Sequence, residues 1–319
     1  MKSACTGMLV IALSVFAAAL HGATTGTVAM ATPEQLQDGV RVEKLADGFV
    51  FPEGPVWHPD GYLIFSDVHA NMIVKIRPEG GAEPWINFDA PRKTNGMILS
   101  NDRKKIYACG HGELAFLEID AATKGMRVVS RDHNGRPFCN VNDVAMDSAG
   151  HVFFTDPKWG SKPGDVQGVY LVNPDDGTTT LAIELDQMPN GLVVSPDQKW
   201  LYVARSGGDD IQRFRIQADG KLTDQIQWMK LDSKSQPDGM SIDRAGTLYV
   251  CQAGDGRVHV ISSEGKTVRY VKVYDRMCTN CEFENPGPGG VGDGRVLYVT
   301  GGGMAHVKSG AVYKLTFPQ

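Results

Sequence analysis

The same short phrase recurs six times along the 319-residue chain: an acidic or amide side chain, an apolar strand, a tight turn, a second apolar strand. The openings are Glu53-Gly54-Pro55-Val56-Trp57, Asn95-Gly96-Met97-Ile98-Leu99, Asn142-Asp143-Val144-Ala145-Met146, Asn190-Gly191-Leu192-Val193-Val194, Asp238-Gly239-Met240-Ser241-Ile242 and Asn280-Cys281-Glu282-Phe283. Successive openings lie 42, 47, 48, 48 and 42 residues apart. A period of roughly 40–50 residues with several short strands per unit marks a β-propeller. The fold class is therefore read as all-β, a six-bladed propeller. Such a fold brings equivalent positions of every blade around one axis, so six oxygen-bearing side chains at equivalent positions would form a ring.

Asn-Gly and Asp-Gly are also favoured hairpin turns, but the turn duty is met elsewhere. His58-Pro59-Asp60-Gly61, Ser100-Asn101-Asp102-Arg103, Asp147-Ser148-Ala149-Gly150, Ser195-Pro196-Asp197-Gln198 and Asp243-Arg244-Ala245-Gly246 follow a few residues downstream. Their Gly, Pro and Asp residues have the backbone preferences that turns require. Glu53 is no turn residue at all. Proline precedes Glu53, Asn190 and Asp238 and stiffens the approach to each strand. Second strands are expected near 62–66, 105–108, 151–155, 200–204 and 247–251. The last unit is stretched by a Gly/Pro-rich loop, 284–293. The segment 40–45 alternates like an edge strand and is expected to pair with 311–317 in the last blade, which closes the ring and hides both edges.

A hydrophobic content of 42% is enough for a sizeable core, and 37 glycines suit many tight turns. The net charge of −5 shows no basic stripe, which argues against a nucleic-acid partner. Before the repeats, Lys2 precedes an apolar run over 8–20, too short for a bilayer and fitting a signal-peptide core. Ala29-Met30-Ala31 offers a cleavage site. The expected organisation is a signal peptide over 1–31 and one propeller domain over 32–319. The mature protein is expected to be periplasmic or secreted, without stable membrane insertion, as a monomer or small homo-oligomer. Removal of Cys5 leaves five cysteines, an odd number, so at least one thiol per monomer is unpaired unless chains cross-link. Cys278-Thr279-Asn280-Cys281 has a CxxC spacing without the second pair that a zinc site needs; a structural disulfide or buried thiols are expected.

The ring residues carry two carboxylates and several amides, with no Cys or His. Hard oxygen donors of this kind suit Ca²⁺ first, or another divalent cation such as Mg²⁺, Mn²⁺ or Zn²⁺. A divalent ion polarises a carbonyl or phosphoryl oxygen and acidifies water, and Asp238 could act as ligand, general base or both.

Over roughly residues 40–319 the chain resembles the senescence marker protein / gluconolactonase / luciferin-regenerating enzyme family. The resemblance rests on Glu-Gly-Pro-Val-Trp at Glu53, Asn-Asp at Asn142, Pro-Asn-Gly-Leu at Asn190 and Pro-Asp-Gly-Met at Asp238, all in family order. Gly135-Arg136-Pro137-Phe138, Phe154-Thr155-Asp156-Pro157 and Cys109-Gly110-His111-Gly112 resemble segments of bacterial gluconolactonases. The resemblance implies one catalytic divalent cation, usually Ca²⁺, held by Glu53, Asn190 and Asp238. Asn142 would be a further ligand or hold substrate, and Asp238 would be the acid/base. The implied activity is metal-dependent hydrolysis of sugar or related lactones. The alternatives are phosphotriester hydrolysis of the diisopropyl fluorophosphatase type and a non-catalytic binding propeller. Asn140-Val141 departs from the Ser-Pro that gluconolactonases tend to carry there.

Asn95, Asn140, His111 and Asn280 are expected to meet the substrate. Asp67 and Asp156 each fall 14 residues after a ring residue and should end second strands on the ring's face. They either cap loops there or, for Asp156 especially, handle protons. His111 and His306 are placed on that same face, His58 and His151 at the other end. Trp57, Trp159 and Trp228 are read as blade core. The loops 131–141, 206–210 and 284–293 are expected to surround the substrate.

Overall fold

In the computed structural model, residues 36–37, 39–159, 165–232, 234–274, 277–302 and 308–318 are described. Residues 1–31 and His306 lie outside them, so the signal-peptide reading and that histidine have no structural counterpart here. Six antiparallel blades of four main strands surround one axis. The first runs outward as Pro52–His58, Tyr62–Asp67, Met72–Ile76 and Ala82–Asn87. Blades two to five open with the inner strands Thr94–Leu99, Val144–Met146, Pro189–Val194 and Pro237–Asp243. The sixth opens with Cys278–Phe283, continues through Val296–Gly301 and Gly310–Thr316, and is completed by Val40–Phe49 from the N-terminal side. The register Val42↔Leu315 and Glu43↔Lys314 is the predicted closure.

Inner strands are buried along their length because both faces are covered. Pro189–Val194 and Pro237–Asp243 are buried throughout, whereas the outermost Leu222–Lys230 is largely exposed. Six apolar clusters fill the six gaps between neighbouring blades, so each cluster is a blade–blade interface. Val56, Ile64 and Ile73 of blade one, for example, pack with Met97, Ile106 and Leu117 of blade two. No single blade buries its faces alone, which is why the repeat must close.

All five anticipated hairpin turns form. Gly61 N–H donates to His58 O (3.0 Å), Arg103 to Ser100 (2.8 Å), Gly150 to Asp147 (3.1 Å), Gln198 to Ser195 (2.9 Å) and Gly246 to Asp243 (2.9 Å). They mark one end of the axis, and the ring residues start their strands at the other. His58 and His151 serve the turn end, His58 against Ala121 O (3.0 Å) and His151 against Asp147 (2.7 Å).

One loop goes to the wrong end for its expected role. Segment 284–293 includes the 3-10 turn Pro288–Gly290 and the strand Val291–Gly292, which pairs in parallel with Ile242–Asp243 of blade five. Together with Ser100, Asn101 and Arg103 it encloses a hollow of about 120 Å³ at the turn end. It plugs the axis from below and does not surround a substrate on the ring's face. The five described cysteines are free thiols: Cys109, Cys251, Cys278 and Cys281 are buried and Cys139 is half-buried.

Candidate active site

Five of the six ring residues, all but Asn142, lie at a local irregularity of their strand. Pairing slips between Glu53 and Val56, Thr94 and Met97, Pro189 and Leu192, Pro237 and Met240, and Cys278 and Asn280. These are bulges at equivalent positions, and a bulge re-aims a side chain out of the pleat. The glycine after the ring residue has a related cause. A Cβ on Gly54 would collide with Asn95 O, on Gly96 with the Asp143 side chain, on Gly191 with Asp238 O, and on Gly239 with the Asn280 side chain. At these four positions the inner strands of successive blades approach too closely for a side chain. The Asn-Gly and Asp-Gly pairs are thus packing devices around the axis.

Above the ring lies a cavity of about 420 Å³. Its floor is made by Glu53, Asn95, Asn142, Asn190 and Asp238, all buried. Three asparagines form a relay: Asn95 Nδ2 donates to Asn142 Oδ1 (3.0 Å) and Asn142 Nδ2 to Asn190 Oδ1 (3.0 Å). Asn190 Nδ2 donates to Ser206 Oγ (3.0 Å), which donates to Pro237 O (2.6 Å). The chain of donors fixes which amide oxygen faces which neighbour. Asn95 Oδ1 is buried without a hydrogen-bond partner.

Glu53 and Asp238 complete the floor. Burial pushes both carboxyls up, and Asp143 raises Glu53 further, while Glu53 and Asp143 raise Asp238. Hydrogen bonds from Asn280 to Glu53 and from Asn190 to Asp238 oppose the rise. No lysine or arginine lines the cavity among the described residues.

The expected site residues separate into two groups. His111 does line the cavity, with Trp159 at a ring distance of 6.3 Å, and burial lowers its pKa. Asn280 sits behind the floor: its Nδ2 donates to Asp143 Oδ2 (3.2 Å) and its Oδ1 accepts from Cys281 N (2.8 Å). It faces a small hollow deeper in the axis and does not line the cavity. Asn140 is likewise off the cavity, its Nδ2 donating to Trp159 O (3.1 Å). Asp156 is fully buried, and its carboxyl accepts from Cys139 N (2.8 and 3.0 Å) and Asn140 N (2.6 Å). Asp67 does the same for Val50 and Phe51 (2.8–3.2 Å). Both 14-residue positions therefore pin the segment leading into a ring residue, and Asp156 occupies this loop-anchor place, away from the cavity.

Several lining residues had not stood out in the sequence. Trp159 is a wall of the cavity and not blade core; Trp57, stacked on Tyr298 at 5.5 Å, is core as expected. Phe51, Val68, His69, Met188, Ala253 and Met277 also line it. They come from separate loops and share no local signal. Asp143 carried one: it stands where four of the other five units have glycine. It is buried beside the floor, and its carboxyl is pushed up to about 7 by burial against hydrogen bonds from Val144 N and Asn280.

A sequence profile described as SMP-30/Gluconolactonase/LRE-like region matches residues 51–302. A gluconolactonase of Zymomonas mobilis is 28% identical over 302 residues, covering 84% of this chain and 83% of the relative. The lactonase drp35 of Staphylococcus epidermidis is 28% identical over 230 residues, 70% of this chain and 69% of that one. The solved structure of a gluconolactonase from Xanthomonas campestris superposes with a TM-score of 0.73 at 25% identity, covering 92% and 94% of the two chains. With the ring residues at the cavity floor and the profile match spanning most of the propeller, the chain belongs to the SMP-30/gluconolactonase/LRE-like family.

Proposed function

We propose that the chain hydrolyses lactones with the help of a divalent cation, Ca²⁺ in the first instance, at the cavity floor. The observation that carries the reading is the uncompensated floor. Two buried carboxylates, Glu53 and Asp238, share it with the orphan oxygen Asn95 Oδ1, and among the described residues no lysine or arginine lines the cavity to offset them. Isolated buried carboxylates are costly unless paired or bound to a metal. The donors are all hard oxygens, the chemistry that suits Ca²⁺ or Mg²⁺. Among the described residues no three His, Cys, Asp or Glu side chains cluster as metal ligands, so any site here depends on amides beside its two carboxylates. Glu53, Asn190 and Asp238, with Asn142, are the residues that would hold the ion.

When bound, the ion supplies Lewis acidity to the lactone carbonyl and lowers the pKa of water. Asp238 receives the proton of the attacking water. That water's oxygen bonds to the acyl carbon, the ring C–O bond breaks, and the proton passes to the departing alkoxide, leaving a hydroxy acid. Asp238 lies on the cavity floor among the residues that would hold the ion, the place a general base for this water requires. The asparagine relay holds Asn142 in one amide orientation, and the aromatic walls reduce water access. We also propose export through the first 31 residues; N-terminal sequencing of secreted material should begin near Thr32. The catalytic reading is tested by lactone hydrolysis before and after chelation. Activity that falls to the buffer rate and returns with Ca²⁺ supports it; full activity in chelator removes the cation from the account.

A further inference from the structure

The cavity floor and the cavity walls differ in chemistry. Phe51, Val68, Trp159, Met188, Ala253 and Met277 are apolar and come from different loops around the ring. Among the described residues, the polar wall residues are few. Ser206 is spent, accepting from Asn190 and donating to Pro237 O. Gln236 is exposed. His69 and His111 complete the described polar wall, and each stands against an aromatic ring: Phe51 at 5.1 Å and Trp159 at 6.3 Å. On the floor, the amide groups of Asn142 and Asn190 are committed to the relay at both ends.

A polyhydroxylated aldonolactone buried here would bring several hydroxyls against walls that offer few polar groups among the described residues, since the orphan Asn95 Oδ1 and the carboxyls of Glu53 and Asp238 lie on the floor. A buried hydroxyl without a partner is penalised, and a site discriminates strongly when polar groups are left unpaired. An alkyl or aryl substituent would meet the opposite situation. It would exchange water for Met, Phe and Trp surface, and the volume lies within the ~300–1,000 Å³ range of small-molecule sites. We infer that the preferred substrate is a lactone carrying an apolar substituent, with the ester over the ring residues and the substituent against Phe51, Met188, Trp159 and Met277. The inference rests on the lactonase reading and names its substrate class.

The test uses one ring size throughout. kcat/KM is measured by proton release, with Ca²⁺ present, for D-glucono-1,5-lactone, δ-valerolactone and 5-alkyl δ-lactones of increasing length. Each methylene that leaves water is expected to raise kcat/KM about two- to fourfold until the cavity is filled. The best alkyl lactone should exceed gluconolactone by roughly tenfold or more. Met188→Ser and Met277→Ser should flatten the dependence on chain length, mainly through KM. Gluconolactone turned over as well as the alkyl series, or a slope unchanged in both variants, overturns the inference while leaving lactone hydrolysis in place. Hydrolysis of no lactone in either arm overturns the lactonase reading, and this inference with it.

Discussion

Replacing Asp156 by alanine should destabilise the protein, and by more at pH 5 than at pH 7.5. The carboxyl accepts from two backbone amides, Cys139 N and Asn140 N, at 2.6–3.0 Å, and it is fully buried. Orphaning a buried N–H costs about 1–3 kcal/mol, so the loss is roughly 2–6 kcal/mol before any pH term. Burial holds the carboxyl up at about 6 from its ordinary 3.8, against the Cys139 and Asn140 bonds that lower it. The folded chain thus keeps a proton that the unfolded chain releases earlier. A raised acid contributes its stability at low pH and loses it as pH climbs from about 3.8 to about 6. Between pH 5 and 7.5 the wild type loses about one pK unit of this linkage, ~1.4 kcal/mol, and the alanine variant does not. Urea unfolding at the two pH values, followed by tryptophan fluorescence, reads the difference. A penalty below about 1 kcal/mol at pH 5 would refute the loop-anchor role. A penalty equal at both values, or larger at pH 7.5, would refute the assignment of the retained proton to Asp156.

Three further changes probe the axis. Glu282 lies at the plugged end, and burial pushes its carboxyl up to about 8 although Phe283 N donates to it. Its stability contribution is lost as pH rises from about 4.5 to 8, so Glu282→Gln should stabilise the protein by up to ~4 kcal/mol at pH 7.5 and by little at pH 4.5, measured as a shift in urea midpoint. Gly239→Ala would drive a methyl group into the Asn280 side chain; overpacking of this kind costs about 1–3 kcal/mol, seen as a fall in Tm, with activity reduced because Asp238 moves with its neighbour. Asn142→Ala breaks the amide relay at its centre, and the loss in kcat/KM, expressed as RT ln of the ratio, should exceed the loss in unfolding free energy; equal losses would give the relay a purely structural role.

Much of the frame was legible from the chain because it repeats. The steps between ring residues, the five turn clusters and the pairing of Val40–Phe49 with the last blade each follow from a local pattern with a physical cause. Glu53, Asn142, Asn190 and Asp238 were legible for the same reason: they were spare from turn duty. What could not be read was convergence from different blades. Trp159 and His69 reach one cavity through separate loops, and nothing local distinguishes Trp159 from the core residue Trp57. Loop 284–293 looked like a substrate loop by composition, but its parallel pairing with blade five holds it at the other end. Asn280 obeys the repeat and still misses the cavity, because Asp143 draws its amide beneath the floor. Asp143, standing where four of the five sister units have glycine, was the available clue to that second carboxylate layer.

The central claim is that the ring residues bind one divalent cation for lactone hydrolysis. Calorimetric titration of Ca²⁺ into chelator-stripped wild type, Glu53→Gln and Asp238→Asn tests it directly. The predicted result is one ion per wild-type chain, with binding weakened by at least about a hundredfold in both variants and lactone turnover falling in parallel. Wild-type affinity in both variants, or lactone turnover by stripped protein that binds no Ca²⁺, would contradict it.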